Sequence, residues 1–111
     1  MNKFIYTLIT IISFSCISIN ANALTMVAIS SCGQWVTDKI KSKNDLYWGE
    51  NMWLLGYMNG LVSYSDKDAL KNIDPESMLL WVDKYCQANP LKKLNEAGSA
   101  LFFELTKEKG L

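Results

Sequence analysis

The chain has 111 residues, half of them hydrophobic, with eleven lysines, eleven acids, no arginine and no histidine. That length supports one domain, and a neutral chain without arginine has no basic footprint for nucleic acid. The missing histidines also remove the commonest general base and a favoured metal ligand.

Residues 1–23 read as a secretory signal peptide. Lys3 supplies the positive start, Phe4 to Ile19 the apolar run, and Ala21-Asn22-Ala23 the small-residue cleavage site. A membrane anchor is the weaker reading, because the run is short and ends in that cleavage signal. Lipid attachment at Cys16 is weaker too, because Ser13-Phe14-Ser15 lacks the leucine expected to open such a motif. Cleavage after Ala23 leaves one domain at 24–111, with ten lysines against eleven acids and a net charge near −1. It also removes Cys16 and leaves Cys32 and Cys86. Two cysteines in an exported chain most often form one disulfide. Closing a loop of about 55 residues is worth roughly 4 kcal/mol in the chain-entropy model. Without histidine these two thiols make a poor metal site, so neither metal nor cofactor is expected.

The mature chain reads as four helices. Leu24 to Ser30 is a lead-in with little periodicity. Ser31 and Gln34 form a capping pair, opening a helix from Cys32 to about Lys43 with Cys32, Trp35, Val36 and Ile40 on its apolar side. Asn44 or Asp45 can cap a second helix that ends near Tyr64. Within it, WLLGYMNGL (Trp53 to Leu61) is apolar around most of its circumference, which predicts a central helix wrapped by the others. Gly49, Gly56 and Gly60 fall close to one line continued by Ser63. Each interior glycine costs about 1 kcal/mol relative to alanine, so the line predicts close packing by another backbone or a Trp ring. The same spacing suits a membrane dimer, but Glu50, Asn51 and Asn59 and the short apolar run argue for a soluble core.

Ser65-Asp66-Lys67-Asp68 breaks the second helix, Ala69-Leu70 makes a turn, and Ile73 anchors it. Asp74-Pro75-Glu76 is a helix start with an Asp cap and Pro in the first turn. This third helix runs to about Gln87 on Met78, Trp81, Val82, Tyr85 and Cys86. Asn89-Pro90 repeats the signal and predicts a fourth helix opening there, lined by Leu91, Leu94, Ala97, Leu101 and Leu105 and stopped by Gly110.

No catalytic constellation stands out. Ser63, Ser65, Ser77 and Ser99 lack triad partners. Asp66 with Asp68, and Asp74 with Glu76, sit where turns and caps call for acids. Asp66-Lys67-Asp68 lacks the glycine and closing glutamate of a calcium loop. Trp35, Trp53 and Trp81 occupy apolar helix positions. Tyr47 and Trp48, at the start of the second helix, are the expected exposed aromatics and candidate partner anchors.

Cys32-Gly33-x-Trp35, Gly56-Tyr57-x-x-Gly60, Trp81-Val82-Asp83-x-Tyr85-Cys86 and Asn89-Pro90-Leu91 appear in that order, before an Ala/Leu-rich last helix ending in Glu104-Leu105. In these features the chain resembles small exported bacterial helical proteins grouped around the acid-stress chaperones HdeA and HdeB. It is also similar to the Rap/Tai immunity proteins, which neutralise secreted toxins. The likeness spans nearly the whole mature chain. It implies an all-α domain with a Cys32–Cys86 disulfide, packed through Trp53, Gly56, Tyr57, Gly60, Trp81 and Tyr85. It also implies a non-catalytic protein of the periplasm or secreted space. The first expectation is a holdase that opens in acid. Below the carboxylate range the acids neutralise, and ten lysines plus a new N-terminus leave eleven positive charges to repel one another. The alternative is an immunity-type binder of one toxin. The expected partner is therefore a protein, either unfolding clients or a toxin, with homodimerisation left open. No nucleic acid and, after cleavage, no membrane is expected.

Overall fold

The computed structural model describes residues 29–41 and 47–111, except for the side chains of Tyr47 and Trp48. The leader, its cleavage site and the role expected of those two aromatics lie outside the described residues. Four helices follow one another: α1 (Cys32–Lys41), α2 (Tyr47–Ser65), α3 (Pro75–Ala88) and α4 (Leu94–Glu108). Among the described residues there is no strand, and the one isolated β-bridge joins Ser31 to Lys93.

Short polar side chains start and stop these helices. The Ser31 hydroxyl accepts a hydrogen bond from the Gln34 amide at 3.0 Å, satisfying a first-turn donor of α1. Asp74 caps α3 twice over, accepting from the Ser77 amide at 2.9 Å and the Ser77 hydroxyl at 2.6 Å, with Pro75 behind it. At the end of α2, Asp66 turns the chain at φ 56°, a left-handed conformation that short polar residues tolerate. The turn that follows buries Ala69 completely and sets Leu70 and Ile73 against the core.

The start of the last helix departs from expectation. Asn89 is the residue after α3, and its side chain donates back to the Tyr85 carbonyl at 2.9 Å. Pro90 to Lys93 is not helical, and α4 opens at Leu94. The reason is non-local. The Cys32 amide donates to the Lys92 carbonyl at 2.7 Å, the Gly33 amide to the Pro90 carbonyl at 2.9 Å, and the Leu94 amide to the Ser30 carbonyl at 2.9 Å. The segment is held as a turn, closed by the Lys92 amide on the Asn89 carbonyl, because the Pro90 and Lys92 carbonyls satisfy the orphan amides at the start of α1. Leu91, expected on the inner face, is 96% exposed.

α1 packs mainly against α3, α3 against α4, and α4 against α2. The helix expected at the centre is therefore at one flank, and α3 and α4 occupy the middle. The core holds Trp35 and Cys32 from α1, Leu54 and Met58 from α2, Met78, Val82 and Cys86 from α3, and Leu94, Ala97, Leu101 and Leu105 from α4. Cys32 and Cys86 are joined, so a disulfide across 54 positions links α1 to α3.

Candidate functional site

The seam between α1 and α3 carries the disulfide and the buried charge. Cys32, Trp35 and Lys39 lie three and four residues apart and so share one face of α1. Opposite them, Asp83 and Cys86 share one face of α3. Asp83 is only 3% exposed. Its Oδ1 accepts from the Trp35 indole Nε1 at 2.7 Å, and its Oδ2 is ion-paired with the Lys39 ammonium. A carboxylate out of water needs such partners. Partial burial holds the Lys39 ammonium below the ordinary lysine value. Asp83 carries no role in the sequence reading beyond its place in a motif. Its position beside Val82 and three residues before Cys86, on the apolar side of α3, was the available signal of a buried, paired acid.

α2 has two faces. Its inner face buries Leu54 and Met58 and half-buries Trp53, Tyr57 and Leu61. Trp53 stacks on Tyr57, with ring centroids 5.3 Å apart and planes 8° apart. The Tyr57 hydroxyl shares a hydrogen bond with that of Ser99 at 2.8 Å. Its ring lies on Gly98 of α4, where an added Cβ would sit 2.8 Å from Tyr57 Cδ1. Close helix approach is thus made by Gly98, not by the glycines of α2.

That is a correction for Gly56 and Gly60, expected to pack inside the bundle. Among the described residues nothing lies within 4 Å of where a Cβ would stand at Gly49, Gly56 or Gly60. These glycines are exposed together with Met52, Asn59 and Ser63 along one strip of helix surface. Tyr64, near the end of α2, is 93% exposed. The physical reason is the order of the helices: α4 covers one side of α2, and among the described residues the far side has no neighbour.

On α3, Trp81 and Tyr85 are half-buried and stacked at 5.5 Å with planes 14° apart. Both belong to the apolar layer around the core. The two aromatic stacks therefore stand on different helices, each between residues one turn apart.

A cleft of about 210 Å³ lies where α2 and α4 begin, lined by Ser30, Gly49, Glu50, Trp53 and Leu94. One carboxylate oxygen of Glu50, Oε2, is buried and has no hydrogen-bond partner. A wider depression of about 500 Å³ runs along Ala88 to Lys92 and Glu96. There Glu96 accepts from the Lys93 amide at 2.8 Å and pairs with Lys92 at 3.1 Å. Those contacts, the backbone amide first, hold the Glu96 carboxyl below its ordinary value, and Glu96 in turn holds Lys92 above its own. The Ser77 hydrogen bonds likewise lower Asp74.

Among the described residues no three His, Cys, Asp or Glu side chains gather as a metal site, and no helix is long and apolar enough to cross a membrane. Among the described residues, the glycine strip of α2 and the cleft beside Glu50 lie at the surface, and the disulfide seam is buried. Compared with known proteins, the chain matches no family model, no curated protein and no solved structure.

Proposed function

We propose that this chain is a non-catalytic exported binding domain of the immunity type, whose folded surface recognises one protein partner. The observation that carries this reading is the glycine strip of α2. Gly56 and Gly60 lie inside a 19-residue helix and face solvent. Each weakens the helix by about 1 kcal/mol relative to alanine, and no contact from the described residues offsets that. A local choice that opposes the fold's own stability is the mark of a functional surface. A strip without side chains lets a partner's backbone or aromatic ring approach closely, which suits one shape-matched partner better than many unfolded clients.

The test is co-expression with the secreted effector encoded beside the gene, in a periplasm at neutral pH. The expected result is a stable complex and protection from the effector. Gly56→Leu or Gly60→Leu should remove both while the circular dichroism spectrum stays helical. Full protection by a folded Gly60→Leu variant would reject the strip as the recognition surface.

One observation favours the acid-holdase reading as a second. Asp83 is a carboxylate enclosed between α1 and α3, so protonating it removes the anion that Lys39 and Trp35 bind. In that reading the disulfide keeps α1 on α3, and the surface released comes from α2 and α4. The domain should then stay folded until the carboxylate range and suppress client aggregation at about pH 3. Unfolding near neutrality, or no suppression in acid, would dismiss it.

A further inference from the structure

We propose that the cleft between the starts of α2 and α4 receives a basic side chain, an arginine or lysine presented by a protein partner. This inference rests on the protein-binding reading above and names the chemistry of one contact within it. At about 210 Å³ the cleft is smaller than typical small-molecule sites. It is of the size to take one side chain.

The cleft's chemistry selects the charge. Glu50 lines it, and Glu50 Oε2 is buried without a hydrogen-bond partner. A desolvated, unpaired carboxylate oxygen is unfavourable. Glu50 stands in the first turn of α2, where the helix dipole favours an anion but gives this oxygen no donor. An incoming N–H of a guanidinium or ammonium supplies that donor with a matching charge. An anionic group would be repelled, and a neutral apolar group would leave the oxygen unpaired.

The walls select the stem. Trp53 forms one side, and a cation over an indole face gains further attraction. The ring cannot swing freely, because it is stacked on Tyr57, itself tied to Ser99. Leu94 forms the apolar wall, fixed by its own amide bond to the Ser30 carbonyl. Gly49 stands at the rim, with open space where a side chain would begin. One acceptor, one aromatic face, one apolar wall and an open rim fit the end of an arginine or lysine on its methylene stem.

The experiment needs no partner protein. The ¹⁵N-labelled exported chain is titrated with N-acetyl-arginine amide, N-acetyl-lysine amide and neutral N-acetyl-citrulline amide. The expected result is saturable shifts at the Gly49 and Glu50 amides and the Trp53 indole with the two cations. Citrulline should give none. Glu50→Gln should bind the cations at least roughly tenfold more weakly. Equal binding of citrulline, or cation shifts scattered over other acids, would overturn the proposal. If Glu50→Gln fails to fold, the arginine–citrulline contrast on the unaltered chain still decides. Saturable arginine binding by a chain that protects against no effector would sink the immunity reading and keep the cleft. Protection without arginine binding would do the reverse.

Discussion

Trp35 donates its indole proton to Asp83 over 2.7 Å, and neither residue is reached by water to any useful extent. Among the described residues, the bond joins the one fully buried tryptophan to the one buried acid. It fixes the rotation of α1 against α3 in a way that apolar contacts alone would not.

Trp35→Phe keeps most of the ring and deletes the donor. It should lower unfolding free energy by roughly 1.5–3 kcal/mol, the range for a hydrogen bond to a charged group. Urea denaturation checks this, and the slope against denaturant should not change. In a double-mutant cycle with Asp83→Ala, which deletes the acceptor, the two losses should fall short of adding, with a coupling of about 0.5–3 kcal/mol. Strict additivity would mean the bond contributes nothing to stability.

Alanine substitutions at two glycines should act with opposite signs. At Gly98 the new methyl would press on Tyr57 at 2.8 Å and on Leu54 at 3.3 Å. Overpacking of this kind costs about 1–3 kcal/mol, more than the helix gains from alanine. At Gly60 the space is open, so alanine should stabilise the domain by up to about 1 kcal/mol. Thermal melts of the two variants decide the matter. A destabilised Gly60→Ala would show that the strip is covered in the free protein.

Reduction of the Cys32–Cys86 bond should lower stability by roughly 4 kcal/mol, as expected for a link across 54 positions. The melting temperature with and without reductant, or that of a double Ser variant, measures it. The loss should be felt first at α1, whose other ties to the fold are the Asp83 contacts and the bonds to Pro90 and Lys92. Amide exchange across residues 32–41 should therefore rise more than across α4.

Acid should loosen the start of α3 in a defined order. Asp74 has a lowered carboxyl value because the Ser77 side chain and backbone bind its anion. The stability it adds is complete above the ordinary aspartate range. That stability is lost as pH falls through the lowered value of the folded state. Glu96 behaves in the same way at α4, through the Lys93 amide. Ser77 and Lys93 amide protection, followed as pH is lowered, should fall together with protonation of each acid. Asp74→Ala should abolish the Ser77 response and leave that of Lys93 unchanged.

These relationships differ in how far the amino-acid order foreshadows them. The helices and the Ser31 and Asp74 caps follow from signals a few residues long, and the disulfide follows from the pairing expected of Cys32 and Cys86. The opening of α4 does not. Asn89-Pro90 has the local form of a helix start, but the Pro90 and Lys92 carbonyls are claimed by the Gly33 and Cys32 amides, more than fifty positions away. The facing of α2 was illegible for a different reason. With apolar residues on nearly every side, its pattern does not say which side meets α4. The glycine that permits close approach lies in the partner helix, at Gly98, in an otherwise ordinary Ala/Leu-rich stretch. The Glu50 cleft joins the start of α2 to Ser30 and Leu94, and no linear pattern connects those three.

The stitching of Ser30–Gly33 to Pro90–Leu94 also governs when the molecule can assemble. The first helix finds the acceptors for its Cys32 and Gly33 amides, its sulfur partner and the acceptor for its indole only in the last third of the polypeptide. During vectorial emergence from a ribosome or a translocation pore, the leading segment must wait for the trailing one. Loop closure of that span has to precede the contacts that reward it. A chain wired this way cannot seat its first helix until residues 83–94 have emerged, and the segment at 30–33 then closes onto them.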